Sequence, residues 1–221
     1  RVDRLRDPAE AARVRERVHA ALPHLRGRRV AVFAPTFRLD GTVTVDASAL
    51  SAALAEIGVH VVVKLHPLMA GRFGADVDTA PGFSTQELLH VADLFVTDYS
   101  SALYEAAVVG VPTYFLAPDL DDYLASRDFY LDYRNDLPGP IARTVDELAT
   151  AIAADEATAE RSAAFARRWV QVPGDPRPAA GSTPCADHIA EIVVDALGPS
   201  QERPRSGALT APARRPRRRL H

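Results

Sequence analysis

Short apolar runs alternate with longer stretches of helical periodicity along this chain. Val30-Ala31-Val32-Phe33-Ala34, Val59-His60-Val61-Val62-Val63 and Leu94-Phe95-Val96-Thr97 are rich in β-branched and aromatic residues and are bounded by polar turns. That is the pattern of strands buried on both faces. The spacing predicts strands over 29–34, 59–64, 94–97 and 112–116. It predicts helices over 8–21, 46–57, 84–91, 100–109, 144–154, 157–169 and 183–197. Ser84 is a candidate cap, and Gly58 and Gly110 are placed to stop the helices before them. Residues 68–83 carry Gly71, Gly74, Pro81 and Gly82 and read as a loop, with a short strand near Ala75–Asp78. Strands and helices in alternation, with short connections, predict an α/β fold in which helices cover a parallel sheet.

Three of the strands end in polar chemistry. In Leu94–Glu105 an apolar run passes into Thr97-Asp98, then Ser100-Ser101, then a helical pattern. A helix N-terminus presents free N–H groups and partial positive charge, which suits a phosphate, and the two hydroxyls add donors. A plain capping role for Asp98 or Ser100 is the competing reading. In Val61–Pro67 a buried strand ends where Lys64 and His66 emerge, and Pro67 biases His66 toward an extended backbone. Lys64 is the only lysine among 26 basic residues. Val30–Arg38 is a third strand running into a loop, here carrying Thr36 and Arg38. Parallel strands would gather these groups at one carboxyl edge, where open α/β sheets bind ligands. Such a cluster suits a diphosphate.

Composition narrows the class. The chain is 47% hydrophobic and 25% charged, ordinary for a globular protein. A single cysteine, Cys185, excludes an intramolecular disulfide and a Cys-rich zinc site. No apolar run is long enough to span a bilayer, and the first residues lack a signal-peptide pattern. The net charge of -3 hides an asymmetry, because residues 201–221 hold seven Arg and one Glu. The remaining body is acidic, which argues against nucleic acid as a partner. Residues 171–182 read as a Pro/Gly linker and 199–221 as a disordered basic tail.

Several motifs, in order, resemble the CDP-glycerol glycerophosphotransferase family, the teichoic acid primases and polymerases. They are Pro35-Thr36-Phe37-Arg38, Lys64-Leu65-His66-Pro67, Thr97-Asp98-Tyr99-Ser100-Ser101, Asp119-Leu120-Asp121-Asp122-Tyr123 and Leu137-Pro138-Gly139-Pro140. Arg1-Val2-Asp3-Arg4-Leu5 resembles the segment linking the two halves of such enzymes. The resemblance implies one half of a GT-B architecture, a Rossmann-like parallel sheet with helices on both faces. It implies that 1–28 is a linker and helix following an N-terminal half, 29–170 the nucleotide-donor-binding domain, and 171–198 a linker and C-terminal helix. It places His66 at the donor diphosphate as the catalytic residue. Ser100 and Ser101 match hydroxyls that bind donor phosphate, Thr36 and Arg38 a loop close to the phosphates, and Asp119 and Tyr123 a loop near the cleft. Lys64, Thr97 and Asp98 complete the expected donor site. Gly181 through His188 departs from the family, with His where an Arg is expected. The family's other essential His belongs to the N-terminal half, and nothing here matches it.

The expected reaction moves a polyol-phosphate unit, glycerol or similar, from a CDP-alcohol to a lipid-linked acceptor of teichoic-acid type and releases CMP. It asks for stabilisation of developing phosphate charge, which the helix end, hydroxyls, Arg38 and a protonated His66 supply. Alternatively His66 acts as a general acid on the departing phosphate. No cofactor is expected. No metal is expected either, since no pair of His residues has ligand spacing; His19, His24 and His90 read as surface residues and His60 as the start of a strand. The implied location is cytoplasmic, peripheral at the inner face of the plasma membrane. Two other readings compete: a different GT-B enzyme, such as a nucleotide-sugar glycosyltransferase or epimerase, and a non-catalytic nucleotide-binding fragment.

Overall fold

Five parallel strands form one sheet in the order β2-β1-β3-β4-β5: β1 (Arg29–Phe33), β2 (Val59–Val63), β3 (Leu94–Thr97), β4 (Thr113–Leu116) and β5 (Ile141–Ala142). The computed structural model describes residues 5–36, 38, 44–64, 77–127 and 129–170. These belong to one compact unit, Arg1–Ala179; a second unit, Ala180–His221, lies outside the described residues. The expected helix at 183–197 and the tail at 199–221 fall there.

Seven helices accompany the sheet among the described residues: α1 (Pro8–Ala21), α2 (Ala47–Glu56), α3 (Thr85–Leu88), α4 (Ala102–Val109), α5 (Leu120–Ser126), α6 (Val145–Ala153) and α7 (Ala159–Trp169). Their starts are written in the sequence. Asp7 and Asp46 accept from the first free N–H groups of α1 and α2, and Ser84 with Glu87 forms a capping box on α3. Gly110 closes α4 in the left-handed conformation.

Alternate residues of each strand face opposite layers. Ala31, Phe33, Val61, Val63, Leu94 and Val96 pack with Leu50 and Leu54 of α2 and Leu148 and Ile152 of α6. Val30, Val32, Val62 and Phe95 face Val14 and Val18 of α1, Leu88 of α3 and Ala106 of α4. A third cluster joins Leu103 and Ala107 of α4 to Phe115, Leu120, Tyr133 and Phe165. The sheet is thus buried on both faces, as the apolar runs predict.

The boundaries move little from expectation, but four features differ. The sequence from Asp121 to Tyr133 is polar and aromatic and predicts no helix, yet Leu120–Ser126 is helical because Leu120 anchors it in the third cluster. β5 is too short to leave a pattern. Helix α4 begins at Ala102, since Ser100 and Ser101 form the turn before it. His90 is buried rather than on the surface, packed after α3 and beneath α1, where Arg15 Nε donates to its carbonyl at 3.1 Å. Burial and the Arg15 charge push its imidazole toward the neutral form. The short strand expected near Ala75–Asp78 falls partly outside the described residues. Its last residue is bonded along β2, with Val63 N–H donating to the Asp78 carbonyl at 2.7 Å.

Candidate functional site

The chain reverses its winding direction between β1 and β3. β2 is added on one side of β1, and β3, β4 and β5 follow on the other. The loops leaving the carboxyl ends of β1 and β3 therefore part in opposite directions and leave a crevice, the ligand site of doubly wound sheets. The strand ends lie level: Phe33 is paired with Val63 and with Val96. Lys64 N–H donates to the Phe33 carbonyl at 2.7 Å, and Ala34 N–H to that of Val96 at 3.0 Å. Thr36, Lys64 and Asp98 consequently leave the sheet on one edge.

Asp98 joins the two loops at the crevice. Its Oδ1 accepts from the Thr36 backbone N–H at 2.7 Å, the Thr36 hydroxyl at 2.6 Å and the Tyr99 N–H at 2.6 Å. The Tyr133 hydroxyl donates to the Asp98 carbonyl at 2.6 Å. Thr97 donates its hydroxyl to the Ala34 carbonyl at 2.8 Å. Thr97 and Asp98 are only 0% and 4% exposed. Both side chains are consumed in holding the loops, so they position the site and do not present themselves to a ligand. Burial raises the carboxyl pKa of Asp98, against the pull of the hydrogen bonds it accepts.

Arg38 reaches across the crevice, with Nη2 2.8 Å from Asp119 Oδ2 before α5. Its guanidinium lies 5.1 Å from the ring centre of Tyr123 and 5.7 Å from that of Tyr99. Those two rings stack with centroids 3.6 Å apart and planes 7° from parallel. The Tyr99 hydroxyl donates to Asp119 Oδ1 at 3.0 Å. Burial, with the nearby carboxylates, raises the pKa of both Tyr99 and Tyr133, so each stays a donor. Phe129 completes the cluster, 5.1 Å from Tyr133 and 5.8 Å from Tyr123. Arg38 was expected beside phosphate; here Asp119 neutralises part of its charge, and the two residues tie the β1 loop to α5.

Ser100 and Ser101 open α4. Ser100 Oγ accepts from Ala102 N–H at 3.3 Å, a long bond, and Ser101 makes no side-chain capping bond. Ser101 is exposed and Ser100 half-buried. A cavity of about 100 Å³ adjoins them, lined also by Tyr99, Tyr104, Phe129 and Tyr133. A lining that combines hydroxyls, a helix N-terminus and aromatic rings suits a phosphate attached to a flat group.

Lys64 shares the strand-end row, but the charge acting on it is Glu87 of α3, on the α1 side of the sheet. Partial burial lowers its pKa, and Glu87 opposes that. The structure therefore brings together Thr36, Arg38, Thr97, Asp98, Ser100, Ser101, Asp119 and Tyr123, with Lys64 at the margin. His66 lies outside the described residues. Sequence reading missed Tyr133 and Phe129, which sit in a segment with no periodicity; their one signal is the aromatic density of Tyr123, Phe129, Tyr130 and Tyr133.

The model of the CDP-Glycerol:Poly(glycerophosphate) glycerophosphotransferase family matches residues 1–175. A teichoic acid ribitol-phosphate primase of Bacillus spizizenii is 33% identical over 71% of this chain and 43% of its own length. The teichoic acid ribitol-phosphate polymerase TarL of Staphylococcus aureus is 34% identical over 75% of this chain and 32% of its own. A teichoic acid poly(glycerol phosphate) polymerase of Bacillus subtilis is 33% identical over 58% of this chain and 19% of its own. Among solved structures, the wall teichoic acid polymerase TagF superposes with a TM-score of 0.60 at 24% identity, covering 78% of this chain and 45% of that one. A TagF variant soaked with CDPG gives a TM-score of 0.58 at 25% identity, over 74% and 44%. The chain spans less than half the length of these relatives. With the match covering most of its residues, this chain belongs to the CDP-glycerol:poly(glycerophosphate) glycerophosphotransferase family.

Proposed function

We propose that this chain is the donor-binding half of a transferase that takes a polyol phosphate from a CDP-alcohol. The observation that carries the reading is the crevice at the strand-order reversal, where the Thr36–Asp98 bonds hold the Arg38 loop against the Ser100–Ser101 turn. The Ser100 and Ser101 hydroxyls and the start of α4 bind the diphosphate, and the Tyr99–Phe129–Tyr133 wall meets the remainder of the donor. Residues 29–170 form the donor domain. Acceptor recognition, and the base that activates the acceptor, we assign to sequence outside these 221 residues.

In the reaction an acceptor oxygen forms a bond to the β-phosphorus, the bond to the bridging oxygen breaks, and CMP leaves with the electron pair. Oriented N–H groups and hydroxyls stabilise charge as it develops on phosphate. His66 follows the end of β2 by three residues and acts on the departing phosphate, by its positive charge or by giving up a proton. The acceptor, on this reading, is lipid-linked and of teichoic-acid type, which puts the enzyme at the inner membrane face. Among the described residues no helix is long and apolar enough to cross a membrane.

Glycerol and ribitol both remain candidate polyols. Ribitol is favoured by the span of the matches, 71–75% of the chain for four ribitol-phosphate enzymes against 30–60% for four glycerol-phosphate ones. Calorimetry with CDP-ribitol, CDP-glycerol and UDP-GlcNAc tests the donor class. Binding of the CDP-alcohols, weakened by about 1–3 kcal/mol in Ser100→Ala or Ser101→Ala, is the expected result. Tighter binding of the UDP-sugar would sink the assignment and favour an ordinary glycosyltransferase. In the full-length protein, His66→Ala should abolish transfer while the circular dichroism spectrum stays unchanged.

A further inference from the structure

Far from one another in sequence, His24, His60 and Asp78 converge at the edge of the sheet beside β2. His24 lies in the 3-10 turn Pro23–Leu25 that follows α1, and His60 is the second residue of β2. His24 Nε2 lies 2.8 Å and His60 Nε2 2.9 Å from the same oxygen, Asp78 Oδ2. The two imidazoles meet edge to face with centroids 5.5 Å apart. All three ligand-type atoms lie within 4.8 Å of one another, and His24 opens the group to solvent.

From this arrangement we propose a binding site for a divalent transition metal, zinc being the best match. Two imidazole nitrogens and one carboxylate oxygen are a common zinc set, with a water molecule in the fourth tetrahedral position. Two imidazoles disfavour calcium and magnesium, which prefer oxygen ligands. Ligand atoms about 2.0–2.1 Å from a tetrahedral ion lie ~3.3 Å apart, so the two nitrogen–oxygen separations need to open by only about 0.5 Å. When metal enters, each Nε2 gives its lone pair to the ion, and any proton that nitrogen carried passes to Nδ1 or is released to solvent. The carboxylate is already oriented: Asp78 Oδ1 accepts from Ala80 N–H at 3.0 Å. This Ala80 bond is an outer-shell contact of the kind that holds a ligand in place.

The ion would act on the edge of the sheet. It staples the turn after α1, the edge strand and the segment returning at Val77. Asp78 also bonds Val63 through its backbone, one residue before Lys64. A bound ion therefore stiffens the edge of the sheet next to the strand end that leads to His66, without entering the crevice.

Zinc alone is the probe, titrated by calorimetry into the full chain and into His24→Ala, His60→Ala, Asp78→Asn and the control His19→Ala. The expected result is one site in the wild type and in the control, weakened at least about tenfold in each of the other three. His24 is exposed, so its replacement leaves the core intact, and an unchanged circular dichroism spectrum verifies that. Zinc should also raise the melting temperature of the wild type but not of His24→Ala. No zinc uptake by the wild type, equal affinity in all variants, or an equal rise in melting temperature would overturn the proposal.

Discussion

Asp98 and Lys64 show two ways in which a polar residue is held at a strand end. Asp98 is buried and saturated on one oxygen, with three donors converging on Oδ1. Thr36→Val removes the hydroxyl donor and keeps the shape. It should cost about 1.5–3 kcal/mol in urea unfolding, the range for a bond to a charged group, and should weaken the donor because the β1 loop loses its hold. An unchanged midpoint would show that the backbone bond alone suffices. Lys64 is the opposite case, a cation whose pKa burial depresses. The unfolded lysine keeps its proton to about pH 10.5, above the folded one, so between the two values the unfolded state holds more protons. Stability should rise with pH across that window, and Lys64→Met should flatten the rise while weakening the binding of CDP-alcohols. A mutant with unchanged donor affinity would reduce Lys64 to a partner of Glu87. Sequence alone exposed both residues, because each interrupts an apolar run at its end. It did not separate a residue that faces a ligand from one that faces its own backbone, which is a question of burial.

At the scale of elements, what was legible depended on length and capping. α1 matches its expected span because Asp7 and Pro8 mark its start and Val14 and Val18 its buried stripe. β5 is two residues long, and it exists because its neighbours hold it: Phe115 N–H donates to the Pro140 carbonyl at 3.0 Å and Ala117 N–H to that of Ala142 at 2.9 Å. No periodicity announces such a strand. The motif Leu137-Pro138-Gly139-Pro140, read as a mark of family, has a packing reason in this fold. A Cβ at Gly139 would stand 1.7 Å from the Thr113 carbonyl oxygen on β4. Gly139→Ala must push β5 away from the sheet, and overpacking of this kind costs about 1–3 kcal/mol or more. The expected outcome is a clear fall in melting temperature, with the loss reaching α6, which packs on β4 and β5. A wild-type melting temperature would mean that the turn moves aside without strain.

For the whole molecule, strand composition predicted a parallel α/β sheet, and the order β2-β1-β3-β4-β5 then placed the crevice. Order is set by which helices cover which face, information spread over α1, α2, α4 and α6 that no local pattern carries. The metal-type cluster was illegible for the same reason, since Asp78 stands 54 residues from His24 and 18 from His60. Charge distribution, in contrast, is visible in sequence at once. An acidic body carries a terminal segment in which Arg214, Arg215, Arg217, Arg218 and Arg219 cluster around Pro216. Each Arg near an anionic leaflet adds about 1 kcal/mol, fading within a Debye length. On the proposed function, five of them would give weak, salt-sensitive attachment and so raise the concentration of the chain near a lipid-linked acceptor without touching the chemistry. Sedimentation with anionic liposomes at low salt, with and without residues 203–221, measures this directly. The intact chain should co-sediment and release as salt rises, and the truncated chain should stay in solution with its affinity for CDP-alcohols unchanged. Equal sedimentation of the two would make the tail a solvated end and leave membrane residence to other parts of the protein.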